Sequence, residues 1–179
     1  MTTIATDGHQ IVADTLQVWG TERSLRPATK MIVRNKTIYA LSGTYGLLND
    51  LIEWVEAGAR QKDVPFADLD WQWTMLVLRQ GSIWQASSEL PGLLQEGGFP
   101  FAIGSGSEFA LGAMHAGATP LEAIRIASKL DIYTGGPLDV LWVEQVTGFT
   151  PIVGKTQQVY HTKEDVSHGA VGKDSAANS

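Results

Sequence analysis

Residues 2–14 read Thr-Thr-Ile-Ala-Thr-Asp-Gly-His-Gln-Ile-Val-Ala-Asp. Two β-prone runs, Thr3-Ile4-Ala5 and Gln10-Ile11-Val12-Ala13, flank Asp7-Gly8, a pair suited to a tight hairpin turn. The same pattern recurs downstream. Met31-Ile32-Val33 and Thr37 to Leu41 flank Arg34-Asn35-Lys36, and Trp73 to Leu78 and Ser82 to Gln85 flank Gln80-Gly81. Phe101-Ala102-Ile103 and Leu138 to Val143 add two further apolar strands, while Pro91 to Gly98 reads as loop.

Helical patterns fall between these blocks rather than after each strand. Ser42-Gly43-Thr44 offers a helix start, and Leu47, Leu48, Leu51, Ile52 and Val55 share one face of a helix reaching about Ala59. Phe109 to His115 forms a second. Ser105 is placed to cap it, with Glu108 completing a capping box. Thr119-Pro120-Leu121-Glu122 combines an N-cap threonine, proline at the first helical position and a capping glutamate, so a third helix starts there. Strands in blocks with helices between them predict packed antiparallel sheets flanked by helices, not a parallel doubly wound sheet.

The chain has 179 residues, enough for one domain with a two-layer core. Apolar residues make up 44% and charged residues 18%, and the net charge is −6, so no global basic field draws nucleic acid or an anionic membrane. The absence of cysteine excludes disulfides and cysteine nucleophiles. The four histidines have no paired metal-ligand spacing, so neither metal nor cofactor is expected. No apolar run reaches the ~18 residues of a membrane span and no signal pattern opens the chain, which predicts a cytoplasmic protein. Beyond His161 apolar periodicity ceases, so residues 1–160 read as the domain and 161–179 as a flexible tail.

Five patterns, taken in order, resemble proteasome β-subunits and the bacterial HslV peptidase. The chain opens Met1-Thr2-Thr3-Ile4, and Val12-Ala13-Asp14 is followed by Lys30 sixteen positions after Asp14. Ile38-Tyr39-Ala40-Leu41-Ser42-Gly43 is similar to the family's strand before its first helix. Ala102-Ile103-Gly104-Ser105-Gly106-Ser107 resembles its Gly-Ser-Gly turn, and Asp131-Ile132-Tyr133-Thr134-Gly135-Gly136 its Asp-x-x-Ser-Gly-Gly segment.

The resemblance implies an α+β, four-layer αββα sandwich of two antiparallel sheets, the N-terminal-nucleophile (Ntn) hydrolase fold. Roughly twenty-five residues separate Thr44 from Trp71, room for one helix where relatives have two, so the first helical layer is expected to be shortened. It further implies a threonine endopeptidase acting on peptide or unfolded protein through an acyl-enzyme. The chain would sit in a stacked homo-oligomeric ring of six or seven subunits, with an unfoldase ATPase as a partner. Thr2 would be the nucleophile once Met1 is removed. A threonine hydroxyl needs an adjacent base, and a free α-amine, with a reference pKa of about 7.7–8.0, supplies one.

By the same resemblance Lys30 would lie against Thr2, with Asp14 holding Lys30 charged. Ser105, Asp131 and Thr134 would orient the amine and relay protons. Ala40 would supply an oxyanion-hole N–H, its methyl crowding the substrate side where relatives carry glycine. Val18, Ala28, Ile38 and Ser42 would border a mostly apolar primary pocket. Each residue also has a structural reading: Asp14 could end a strand, Lys30 could be a solvated charge, and Asp131 and Thr134 suit a helix end and turn. Two other functions stand beside the peptidase: an Ntn small-molecule amidohydrolase, and a non-catalytic ring subunit that retains Met1.

Overall fold

The computed structural model describes residues 2–19, 22–24, 26–44, 46–66 and 71–150. The expected tail at 161–179 and the end of the expected domain lie outside the described residues. The first sheet contains β1 (Thr3–Thr6) and β2 (Gln10–Asp14), the hairpin read from the sequence. A short ribbon, β3 (Val18–Trp19) with β4 (Glu22–Arg23), follows. The second sheet is built from β5 (Met31–Arg34), β6 (Thr37–Gly43), β7 (Trp73–Arg79), β8 (Ser82–Ser87) and β9 (Leu94–Gln95), in that spatial order. Helix α1 (Leu48–Glu56) joins β6 to β7. Strand β10 (Phe101–Gly104) returns the chain to the first sheet, followed by α2 (Ser107–His115) and α3 (Pro120–Leu130). Strand β11 (Leu138–Trp142) completes that sheet, in the order β10-β1-β2-β11, and α4 (Val143–Thr147) follows it. All pairings are antiparallel.

The period of two along each strand builds the layers. Ile4, Ile11 and Ala13 on one sheet meet Ile38, Ala40 and Leu76 on the other. The intervening residues face outward: Ala5 and Val12 pack on Ala110, Ile124 and Ala127 of α2 and α3. Tyr39, Leu41 and Met75 likewise pack on Leu51, Ile52 and Val55 of α1. Being covered on both faces, β1 and β2 are buried along their whole length, and their sequence runs apolar instead of alternating. The result is the four-layer αββα sandwich, with α1 the only α-helix on the outer face of the second sheet among the described residues.

Helix α3 starts as its sequence dictates. Thr119 Oγ1 accepts from Glu122 N at 3.3 Å, and Thr119 N donates to Glu122 Oε2 at 2.9 Å. Four local readings are corrected. Helix α1 begins at Leu48 rather than near Thr44, because β6 stays paired through Gly43 opposite Trp73, and Thr44 N donates to Gln72 O at 3.1 Å. Helix α2 starts at Ser107 with Gly106 as N-cap and no side-chain cap. The stretch 91–98, read as loop, contains edge strand β9, and the apolar run at 138–143 turns into α4 at Val143, whose N–H donates to His9 O at 2.9 Å.

Candidate active site

The end of β2 carries Asp14, a fully buried carboxylate surrounded by donors. Oδ1 accepts from Lys30 Nζ at 2.9 Å and from Thr3 N at 2.8 Å. Oδ2 accepts from Gly135 N at 3.0 Å and Leu16 N at 3.2 Å. Asp14 thereby ties together β1, the segment entering β5 and the Gly135-Gly136 turn. Lys30 also donates to Leu16 O at 2.8 Å and is 5% exposed. Burial lowers the Lys30 pKa from its ordinary value, against the opposing pull of Asp14.

Thr2 stands just before β1 and is 3% exposed. Its carbonyl accepts from Ser105 N at 3.0 Å and Ser42 Oγ at 3.4 Å. Gly104, opposite Thr3 in the register, has φ +97°, and a Cβ there would collide with the Thr2 carbonyl. Glycine at this position is what lets the Gly-Ser-Gly turn close over Thr2.

Ser105 Oγ and Thr134 Oγ1 both donate to Asp131 Oδ2, each at 2.6 Å, and Tyr133 N donates to Oδ1 at 3.1 Å. Burial would raise the Asp131 pKa, but these hydrogen bonds outweigh it, and the carboxyl titrates below its usual value. Since Thr134 spends its proton on Asp131, its hydrogen bond with Thr3 Oγ1 runs from Thr3 to Thr134. Gly106 N in turn donates to Thr3 Oγ1 at 2.9 Å. Thr3 thus links the Asp14 and Asp131 clusters through its N–H and its hydroxyl. It escaped the sequence reading because only pairing across the sheet reveals this.

Thr2 and Lys30 line one cavity of about 380 Å³. Val18 and Ala28 line it as expected, with Leu16, Ile32, Leu41 and Leu48 supplying further apolar wall. Two expected wall residues are elsewhere. Ile38 is fully buried between the sheets, because it shares the parity of Ala40 and not that of Leu41. Ser42 faces the Thr2 carbonyl and borders a second cavity with Ser105.

The expected role of Ala40 is also corrected. Leu41 N donates to Lys30 O at 2.9 Å, so the N–H of Leu41 faces β5 and that of Ala40 faces Leu76 on β7. The methyl of Ala40 points into the inter-sheet core, away from the cavity. Gly43 has the parity of Leu41, which turns its N–H away from β7, and it lines the cavity that holds Thr2. A Cβ on Gly43, at φ +116°, would collide with the Gln72 carbonyl. A glycine closing the strand was the sequence signal for this position.

Among the described residues no cluster of His, Asp or Glu could hold a metal ion, and no helix is long and apolar enough to cross a membrane. No protein-family model and no curated protein matches the sequence. Solved structures do match. Eukaryotic HslV from Trypanosoma brucei superposes with a TM-score of 0.63 at 18% identity, over 78% of this chain and 97% of that one. BPH of Thiobacillus denitrificans, in complex with epoxomicin, gives 0.59 at 19% identity, over 79% and 98%. The chain therefore has the fold of HslV, two antiparallel sheets packed face to face between layers of helices.

Proposed function

We propose that the chain is a threonine peptidase of the proteasome-like Ntn class. The observation that carries this reading is the position of Thr2, which shares a cavity wall with Lys30 while Lys30 is held by the buried carboxylate of Asp14. With Met1 removed, the Thr2 α-amine takes the hydroxyl proton and Oγ attacks a peptide carbonyl. Lys30 favours the alkoxide by its charge, and Asp14 keeps Lys30 protonated against its burial. The Gly43 N–H is the oxyanion donor, in place of Ala40. Ser105, Asp131 and Thr134 orient the amine, which returns the proton to the leaving nitrogen. Water then resolves the ester.

The cavity sets acyl-side preference. Its apolar wall suits a Leu- or Phe-sized side chain, with modest discrimination per methylene. Epoxomicin, bound in the BPH structure, is expected to bind here. The homo-oligomeric ring, an ATPase partner and a cytoplasmic setting belong to the same proposal. The ring is tested by sedimentation of the native protein, where a mass of at least six chains is expected. Catalysis is tested with peptide-aminocoumarin amides: release by the wild type and none by Thr2→Ala or Lys30→Met supports the mechanism. Equal release by the wild type and Thr2→Ala refutes it.

A further inference from the structure

A second cavity of about 340 Å³ lies across Gly43 from the apolar one, and Gly43 lines both. Its wall carries different groups, with Trp73 as its one large apolar side chain. Ser42, Ser105, Thr74, Gln72 and Gln85 contribute hydroxyls and amides, and Glu89 is the only charged residue on its wall among the described residues. Glu89 is exposed to solvent. The two cavities flank Thr2. Lys30 and the apolar wall stand on one side, while Ser42 and Ser105, which both donate to the Thr2 carbonyl, border the other. Ser105 is also bonded to Asp131, in the cluster assigned above to the α-amine.

The leaving nitrogen must collect its proton from that amine, so the chain beyond the scissile bond departs on the Ser105 side. We propose that the second cavity is the leaving-group subsite, and that its hydroxyl lining and Glu89 select a polar, cationic residue immediately after the scissile bond. This rests on the peptidase reading. An apolar side chain there would strip water from hydroxyls and amides without replacing their hydrogen bonds. A lysine or arginine would extend past the polar wall to Glu89. Solvent screening at an exposed carboxylate limits the preference to a few-fold.

Capture of the acyl-enzyme by added amines tests the subsite apart from acylation. The acyl carbon breaks its bond to Thr2 Oγ and forms one to the added nitrogen. The proton lost by that nitrogen passes to the Thr2 oxygen through the α-amine. A peptide-aminocoumarin substrate forms the acyl-enzyme, lysine amide, leucine amide and glutamate α-amide compete with water, and mass spectrometry counts transfer products. Lysine amide is expected to be captured about two- to fivefold more often than glutamate α-amide, with leucine amide below lysine. The Lys-to-Glu ratio should narrow toward one in Glu89→Gln and invert in Glu89→Lys. Equal capture of the three amines by the wild type, or an unchanged ratio in both variants, overturns the subsite while aminocoumarin release leaves the peptidase reading standing. No aminocoumarin release refutes the peptidase reading, and the subsite with it.

Discussion

Lys30 Nζ lies 2.9 Å from Asp14 Oδ1, and neither side chain is more than 6% exposed. Such a pair is costly to break from one side, about 3–5 kcal/mol, because the remaining charge stays buried. Asp14→Ala also leaves the N–H groups of Thr3, Leu16 and Gly135 without their acceptor. Asp14→Ala is therefore expected to lower the urea midpoint more than Lys30→Met does. Equal midpoints for the two variants and the wild type would show that the pair contributes nothing to folding.

Strand parity turns the N–H of Gly43, and not that of Ala40, away from β7, which is why Gly43 is the proposed oxyanion donor. Ala40→Gly should leave kcat within about twofold and lower stability by roughly 1 kcal/mol, from a lost core methyl and added backbone freedom. Gly43→Ala keeps the N–H but drives a Cβ into the Gln72 carbonyl, and the displaced donor should lower kcat by about 10²- to 10³-fold. Circular dichroism would check that the variant folds. A large kcat loss in Ala40→Gly with Gly43→Ala unaffected would restore Ala40 to the oxyanion hole.

Ile38 and Ala28 separate core from pocket. Ile38→Ala should cost about 2–5 kcal/mol in denaturant unfolding without reordering preferences on the acyl side of the scissile bond. Ala28→Leu, which fills the cavity, should shift cleavage from Leu and Phe toward Ala at that position. A reordered preference in Ile38→Ala would put Ile38 on the substrate side after all.

The Asp131 carboxyl titrates below its ordinary value, so the folded state binds fewer protons there than the unfolded chain at acidic pH. Its contribution to stability is present above the unfolded pKa of about 4 and is lost as pH falls through the folded value. The stability gap between wild type and Asp131→Asn should therefore be full at pH 6 and shrink below pH 4. Urea titrations across that range read it directly. A gap independent of pH would mean that Asp131 acts through packing alone.

What was legible in the sequence was local or tied to spacing. The β1–β2 hairpin follows from Asp7-Gly8, and α3 from a capping box contained within four residues. What escaped depends on long-range pairing. The direction of the Ala40 N–H is fixed by the bond between Leu41 and Lys30, eleven residues away. Ser105 is drawn from its expected capping role by Asp131, twenty-six residues on. Strand β9 exists because β8 offers it an edge, a tertiary effect that local turn chemistry does not encode.

The most direct test of the central claim is the intact mass of the natively purified protein before and after a threonine-directed peptide vinyl sulfone. Loss of Met1 and one probe per chain, abolished in Thr2→Ala, is the expected result. An intact Met1 with no adduct would contradict a catalytic Thr2 and leave a folded but unreactive subunit.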